Sequence, residues 1–265
     1  MVDDGWQTND NNRGYRYVGD WQPERIPEMK SFVDSIHAIG MKFMLWYSLP
    51  FVGSESAAYK QFAGKFINDD KNQGRAILDP RYPEVRRYLI DTYVSAMNEW
   101  GLDGFKLDFV DNFKNYNNTP EYNKEMDYWN VFEASDRLMS DISKALTSEN
   151  SEVLIEFRQQ YIGPLMRKYG NMFRASDCPY SINENRMHIA DIRLLAGTTA
   201  THADMLMWHP EEDVEVAALQ LLNVMFSVPQ ISIRMSNYPP SHNAMLKFWL
   251  AFWNLHKYIS YKIIH

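Results

Sequence analysis

Residues 104–113 (GFKLDFVDNF) place two charged side chains where a soluble protein normally keeps apolar ones. The segment has the pattern of a short buried β-strand, and Lys106 and Asp108 are two residues apart, so they lie on the same face of it. Lys and Asp are poor strand formers and are rarely fully buried unless they are paired. A neighbouring ammonium group favours the ionised carboxylate, which is the form that a carboxylate nucleophile requires.

Charged and aromatic side chains also stand at the ends of the other segments with a strand pattern. Carboxylates at four or more consecutive strand ends indicate a site, because such groups repel and desolvate one another unless function requires them. In a parallel α/β barrel the C-terminal ends of the strands meet at one active site. The candidate residues at these ends are Asp3, Asp4, Trp6, Trp46, Tyr47, Lys106, Asp108, Asp111, Glu156, Arg158, Arg174, Asp177, His202, Asp204, Trp208 and His209.

A pair of carboxylates separated by about the width of a sugar is the machinery of glycoside hydrolysis. One carboxylate acts as nucleophile, and Asp108 beside Lys106 suits this role. The other must carry a proton at the working pH and needs a less cationic setting. Asp177, in the loop after the fifth predicted strand, suits the second role, although Arg174 lowers its pKa if the guanidinium points directly at it.

Strand and helix patterns alternate along the whole chain, without a linker, a repeat or a low-complexity segment. This alternation predicts βαβ units on a parallel sheet. A doubly wound sheet is disfavoured because no Gly-rich phosphate loop follows any strand. We therefore expect an α/β fold of the (β/α)8 TIM-barrel type, forming one domain over residues 1–265. Seven strands are counted where eight are needed, and the expectation is a truncated chain that begins inside the second strand and lacks the first.

The predicted elements follow from apolar periodicity and from Gly and Pro positions. The predicted strands are 2–5, 41–49, the segment carrying Lys106 and Asp108, 153–157, 172–175, one within 198–207, and 230–233. The predicted helices are 23–39, 83–100, 127–146, a short one at 164–168, 186–195, 214–225, and a final one from about 243.

Composition excludes several classes of partner. The net charge is −7 and no dense Lys/Arg run occurs, which argues against a nucleic-acid surface. No apolar run reaches 18 residues, so no transmembrane helix is expected. The single cysteine, Cys178, forms no internal disulfide and leaves the compartment undecided between cytoplasm and export. The oligomeric state, including a homo-oligomer, also stays open.

Four motifs occur together in order: DDGWQ (3–7), FKLDF (105–109), RASD (174–177) and HADMLMWH (202–209). As a set they resemble the melibiase-type α-galactosidases and the related raffinose synthases and seed imbibition proteins, of the clan of retaining glycoside hydrolases. The resemblance runs from Val2 to about Ile233. It implies a (β/α)8 catalytic barrel, a double-displacement reaction on terminal α-galactosyl groups of oligosaccharides, and no cofactor or metal.

The resemblance also implies a role for each matching residue. Asp108 is the implied nucleophile and Asp177 the implied general acid/base. Asp3 and Asp4 are expected to hold O4 and O6 of galactose, Lys106 to reach O3 and O4, and Arg174 to lie near O2. The implied apolar walls of the sugar site are Trp6 and Trp46.

The sequence departs from the family pattern in three places. Many family members carry a Cys and a Gly-rich run after the fifth barrel strand, where this chain has EFRQQYIGP (156–164). Glu156 and Arg158 then either contact the C2 side of the sugar or form a structural ion pair. RASD is closest to the raffinose-synthase branch, in which a sugar intercepts the galactosyl-enzyme. The flanking β-sandwich domains of the family are not expected in this chain.

Alternatives therefore remain at this level. The chain is expected to be a hydrolase, with a galactosyltransferase or a non-catalytic carbohydrate-binding barrel as the other hypotheses. Asp204 either contacts the substrate or supports residues that do. The spacing of His202, Asp204 and His209 also suits a metal site, but such spacing arises easily by chance. Cys178 follows the candidate acid directly, and without a motif that places a His beside it, it is interpreted as a small buried residue.

Overall fold

The computed structural model describes residues 1–8, 10–158, 160–179 and 181–262. The chain forms two compact units, Met1–Glu156 and Phe157–His265. The strands are β1 (Met44–Ser48), β2 (Phe51–Gly53), β3 (Phe66–Asp70), β4 (Arg75–Leu78), β5 (Gly104–Asp108), β6 (Leu154–Arg158), β7 (Met172–Arg174), β8 (Ala200–Leu206) and β9 (Val228–Ile231). The helices are α1 (Met29–Ala38), α2 (Ala57–Gln61), α3 (Pro83–Trp100), α4 (Val131–Glu149), α5 (Ile182–Ala196), α6 (Val214–Leu222) and α7 (Pro240–Lys262).

Parallel strands form the centre of the first unit. β1 pairs with β5 over its whole length, and β5 pairs with β6. Before β1 in the chain, Val2 forms an isolated parallel bridge to Leu45. The strands β1 and β5 are buried along their whole length, as expected for parallel strands covered on both faces. Each therefore presents its C-terminal side chains at the same edge of the sheet.

Helices α3 and α4 pack against each other in the first unit. In α3 the buried residues include Val85, Leu89, Tyr93 and Met97, at the helical spacing that the sequence predicted. The helix begins with Pro83 at its first turn and ends at Gly101 in the left-handed conformation (φ 76°), which glycine adopts without steric cost. Long amphipathic helices at this spacing fix the strands that carry the candidate residues.

An antiparallel sheet of β2, β4 and β3 follows β1, and the sequence analysis missed it. β4 pairs with both of its neighbours, and the register shifts between Phe66 and Asn68. The strands are three to five residues long, and two of them, β3 and β4, end or begin with charged residues. Short strands of this composition lack the apolar run that signals a buried strand.

The second unit contains β7, β8 and β9 in parallel pairs, with α5 packed on β7 and β8. Its helix α6 packs against α7. β8 is the longest strand, and its register shifts between His202 and Met205. This irregularity lies next to Asp204 and changes the direction in which the strand presents its side chains.

The predicted α/β fold with parallel strands is confirmed, and each strand predicted from 41–49 onwards is found. Three helix starts were wrong. The helix expected from 127 begins at Val131, after the N-cap Asn130. The helix expected from Pro23 begins at Met29, because Pro27 lacks a backbone N–H and restricts Ile26 before it. The helix expected from Arg186 begins at Ile182. Within the described residues, every helix is too short or too polar to cross a bilayer. The single domain over 1–265 stays a prediction.

Candidate active site

Asp108 lies at the end of β5 and is 4% exposed. Its Oδ2 accepts a hydrogen bond of 2.9 Å from Nε1 of Trp46, and its Oδ1 accepts one of 2.8 Å from the backbone N–H of Phe109. Two N–H donors suit an ionised carboxylate, which is an acceptor on both oxygens. Phe109 has a φ of 63°, a strained conformation for a bulky residue and one that clusters at functional sites. The carboxylate is thus held in one orientation.

Lys106 binds Asp3 in this structure. Its Nζ lies 2.7 Å from Oδ2 of Asp3, a residue 103 positions earlier in the chain. The Lys106 side chain is 5% exposed and the Asp3 side chain 41% exposed. Both residues were predicted to belong to a sugar site, but the charge partner predicted for Lys106 was Asp108. The buried ammonium is balanced by the N-terminal motif, which brings DDGWQ and FKLDF together.

Asp4 stands beside this pair. Although the residue reaches solvent, burial of its carboxyl raises the pKa of Asp4, and the negative charges of Asp3 and Asp108 raise it further. A hydrogen bond of 3.0 Å from Nε2 of Gln7 to Oδ1 of Asp4 acts in the opposite direction. The first unit therefore brings Asp3, Asp4 and Asp108 into one acidic cluster. Gln7 was quoted in the motif but given no role, and no signal other than its place in DDGWQ points to it.

Trp6 and Trp46 are each 1% exposed. Nε1 of Trp6 donates to the carbonyl oxygen of Trp46 at 2.8 Å, and Trp46 in turn donates to Asp108. The Trp6 ring also stacks on Trp21 with centroids 6.1 Å apart. These indoles support the carboxylate from within the core. Little of either ring is open to a ligand, and their contact with the sugar stays a prediction.

Glu156 is 1% exposed on β6, in register with Lys106 of β5. Its placement beside the Lys106–Asp3 pair adds a carboxyl group to the interior of the first unit. Asp111, beyond β5, is exposed in the short helical turn Val110–Asn112. Whether Glu156 contacts the C2 side of a sugar stays a prediction.

Asp177 lies in the second unit between two guanidinium groups. Its Oδ2 accepts from Arg158 at 2.5 Å, and its Oδ1 accepts from Arg174 at 2.6 Å. The Asp177 side chain is 57% exposed, whereas that of Arg174 is 2% exposed. Partial burial raises the pKa of Asp177, but the hydrogen bonds and charges of Arg174 and Arg158 outweigh burial, and the net pKa is lowered. The less cationic setting expected for the proton donor is therefore not found, because two guanidinium groups bind this carboxyl. Arg158 forms a salt bridge with Asp177. Whether Arg158 also pairs with Glu156 stays a prediction.

Asp204 lies behind Arg174 on β8 and is completely buried. Its Oδ1 accepts from Nη1 of Arg174, and its Oδ2 accepts from the backbone N–H of Cys178 at 2.7 Å. The backbone of Asp204 exchanges hydrogen bonds with the Asn185 side chain at 3.1 and 3.3 Å. These contacts join Asp204 to Arg174, Cys178 and Asn185. Its role, direct or supporting, stays a prediction. Asn185 was not predicted, because a lone Asn inside a helix carries no sequence signal.

Of the remaining candidates, His202 is buried on β8 in register with Arg174 of β7. Trp208 is buried, and its Nε1 donates to Nδ1 of His242 at 2.9 Å. His209 is exposed, with its Nδ1 4.0 Å from Glu211. Among the described residues no group of three or more His, Cys, Asp or Glu side chains is arranged to hold a metal ion. Cys178 is buried, and burial together with the charge of Asp204 raises the pKa of its thiol to about 12. This thiol is unsuited to nucleophilic chemistry near neutral pH.

Comparison with known families now decides the relationship. The family model described as Melibiase matches residues 1–183, which include DDGWQ, FKLDF and RASD. The chain belongs to the melibiase family. Among characterised relatives, this melibiase-family chain is 32% identical over 129 residues to the A type blood alpha-D-galactosamine galactosaminidase of Flavonifractor plautii, a match covering 41% of this chain and 11% of that protein.

Solved structures show the same fold. The α-galactosidase of Lactobacillus brevis superposes with a TM-score of 0.72 at 18% identity, covering 98% of this chain and 36% of that one. A variant of the α-galactosidase AgaA of Geobacillus stearothermophilus, in complex with raffinose, gives 0.69 at 18% identity, covering 97% and 37%. The TtGalA α-galactosidase of Thermus thermophilus, in complex with stachyose, gives 0.69 at 18% identity, covering 94% and 57%.

These comparisons agree with the TIM-barrel fold predicted for the melibiase-family chain. The chain spans only a part of each of these relatives, from 11% to 57% of their length. Family membership and fold are thus shown by the comparisons.

Proposed function

We propose that this chain is the catalytic part of a retaining glycoside hydrolase that cleaves terminal α-galactosyl residues from oligosaccharides. The observation that carries the proposal is the Asp108 carboxylate, buried at a strand end, held by Trp46 and Phe109 and surrounded by Asp3, Asp4 and Lys106. A fold without this chemistry has no need to gather so many charges in one place. Membership of the melibiase family supports the same substrate class.

In the proposed first step, Asp108 attacks the anomeric carbon while Asp177 donates a proton to the leaving glycosidic oxygen. The glycosidic bond breaks and a β-galactosyl ester forms on Asp108. In the second step Asp177, now ionised, removes a proton from water, and the water oxygen displaces Asp108 with net retention. Asp3, Asp4 and Lys106 are proposed to hold the O3, O4 and O6 hydroxyls, and Arg174 to lie near O2.

This set of acceptors offers a physical basis for sugar selection. Carboxylates that accept hydrogen bonds from O4 and O6 are left without partners when an epimer places its O4 elsewhere. An unpaired buried polar group costs about 1–3 kcal/mol, which corresponds to a discrimination between galactose and glucose of about fivefold to somewhat over a hundredfold.

The decisive experiment is turnover of an aryl α-galactoside by the protein and by Asp108→Asn. We expect the variant to lose activity by about a thousandfold or more, since removing a nucleophile removes the covalent route. Asp111→Asn, a change of the same kind at an exposed site beyond β5, is the matched control and should keep its activity. Near-normal turnover by Asp108→Asn would end the proposal.

Retention and the identity of the second acid require separate readouts. NMR of the first-formed product should show α-galactose. In Asp177→Ala, added azide should restore turnover and yield the α-galactosyl azide, because azide displaces Asp108 from the β-galactosyl-enzyme without base assistance. Formation of β-galactose by the unmodified protein would exclude double displacement.

Two observations define the alternatives that the same assays must include. RASD is closest to the branch that transfers galactose to a sugar, and product analysis with and without an acceptor separates transfer from hydrolysis. The galactosaminidase relative makes an aryl α-galactosaminide a second substrate to compare. Binding of galactose without turnover of either substrate would indicate a carbohydrate-binding barrel.

A further inference from the structure

The carboxylate Asp204 lies at the centre of a chain of contacts that ends at Asp177. It is completely buried, and both of its oxygens accept hydrogen bonds from N–H donors. One donor is Arg174, which binds Asp177, and the other is the backbone N–H of Cys178, the residue after Asp177. Asp204 is therefore connected to Asp177 in two ways, through the Arg174 side chain that binds both carboxylates and through the main chain of Cys178, which follows Asp177.

The irregular strand β8 explains how Asp204 takes this position. The register of β8 against β9 shifts between His202 and Met205, and Asn185 of α5 binds both the backbone N–H and the carbonyl of Asp204. A polar side chain that caps the backbone in this way fixes the strand where its ladder is interrupted. The backbone of Asp204 is thus fixed by Asn185, independently of the contact between its carboxylate and Arg174.

We propose that Asp204 is a positioning residue that shares the Arg174 guanidinium with Asp177 and so sets where the Asp177 carboxyl lies and how readily it accepts a proton. The inference rests on the proposed role of Asp177 as acid/base. Arg158 binds the other oxygen of the same carboxyl.

The charges around Asp177 predict the direction in which each substitution moves the pKa of its carboxyl. Arg158 and Arg174 stabilise its anion, and Asp204 offsets part of the positive charge of Arg174. Glu184 of α5 is a further acidic group in this region, acting on the thiol of Cys178. Removing the charge of Asp204 leaves Arg174 wholly to Asp177, whereas removing the charge of Arg158 leaves Asp177 with one cation fewer.

The two substitutions should therefore act in opposite directions. In a retaining glycosidase the alkaline limb of the kcat/KM profile reports deprotonation of the general acid. Asp204→Asn should move this limb to lower pH and Arg158→Gln should move it to higher pH. At a pH on the limb of the unmodified protein, we expect kcat/KM to fall about tenfold in the first variant and to rise about tenfold in the second, as expected for the loss of one neighbouring charge.

A matched control separates positioning from general destabilisation. Asp79 is also completely buried against an arginine, Arg81, at 2.7 Å, far from Asp177 in the sequence and within the first unit. Asp79→Asn should lower the melting temperature without moving the alkaline limb. A limb that moves equally in Asp79→Asn and Asp204→Asn, or that stays in place in both Asp204→Asn and Arg158→Gln, overturns the proposal.

A direct titration keeps the test independent of catalysis. The carboxyl carbon of Asp177, assigned by its loss in Asp177→Asn, is followed by 13C NMR against pH in the folded protein. Its midpoint should move down in Asp204→Asn and up in Arg158→Gln, even if Asp177 proves not to be the acid/base. Where Asp204→Asn does not fold, Arg158→Gln alone must still move the midpoint up, and an unmoved midpoint overturns the proposal.

Discussion

The indole Nε1 of Trp46 donates a hydrogen bond of 2.9 Å to the carboxylate of Asp108, so a side chain of β1 orients the candidate nucleophile of β5. Hydrogen bonds to charged groups contribute about 1.5–3 kcal/mol, so Trp46→Phe should lower kcat/KM on an aryl α-galactoside by about tenfold to a hundredfold. Trp6→Phe is the control, because its indole donates to a backbone carbonyl instead. Equal losses in both variants would attribute the effect to packing alone.

The Lys106–Asp3 pair predicts an asymmetry in stability. Lys106 is 5% exposed and Asp3 41% exposed, so removing Asp3 leaves a buried ammonium without its partner, while removing Lys106 leaves a carboxylate that water can reach. We expect Asp3→Ala to lower the free energy of unfolding by about 2 kcal/mol and Lys106→Met by less than about 1 kcal/mol. Urea denaturation measures both. The reverse order would show that the ammonium is solvated by other means.

The ionised Asp4 carboxylate is expected to destabilise the folded protein, although it is proposed to bind the sugar. The pKa of Asp4 is raised by burial and by the charges of Asp3 and Asp108, so the folded protein holds this proton to a higher pH than the unfolded chain, in which the pKa is 3.8. The unfolded chain binds fewer protons in this window, and stability falls as pH rises from 3.8 through the folded pKa.

Asp4→Asn should therefore raise the melting temperature at neutral pH and lose that advantage below pH 3.8. Because Asp4 reaches solvent, we expect a gain below about 1 kcal/mol. The same variant should weaken galactoside turnover, as substitutions of strained functional groups often do. A variant that is less stable at pH 7 than the unmodified protein contradicts the assignment.

Gly104 sets the spacing between the strand that carries Asp108 and its neighbour. A Cβ at this position would lie 2.3 Å from the carbonyl oxygen of Leu154 in β6. Gly104→Ala should force the two strands apart and lower the free energy of unfolding by about 3 kcal/mol, the cost of overpacking a core. At Gly163 a Cβ meets no atom within 4 Å, and the backbone is extended (φ 177°), so Gly163→Ala is the control. Equal melting temperatures for the two variants would exclude the close contact.

Much of the fold could be predicted because long apolar runs and amphipathic periodicity record burial. The strand of Lys106 and Asp108 and helix α3 were recognised in this way. The antiparallel strands β2, β3 and β4 were not, because all three are short and β3 and β4 each carry charged residues at one end. Their formation depends on partners up to 26 residues apart in the chain, which local periodicity does not record.

The residues of the candidate site were predicted more successfully than the contacts between them. Asp3, Lys106, Arg174 and Asp177 were named, but Lys106 was assigned to Asp108 and binds Asp3. Which of several charges an ammonium contacts depends on side-chain directions in the folded chain. The second guanidinium on Asp177 also required coordinates, since Arg158 lies 19 residues away with no motif linking the two.

The position of Cys178 makes the reactivity of its thiol a measure of local opening beside Asp177. It is the only cysteine in the chain, its thiol is buried, and its backbone N–H holds the Asp204 carboxylate. Because the thiol is buried, a thiol-reactive dye can modify it only after a local opening that exposes it. The labelling rate therefore measures how often the chain opens one residue from the candidate proton donor. Ligands that close the loop would be detected as protection from the dye, without introducing any foreign group beforehand.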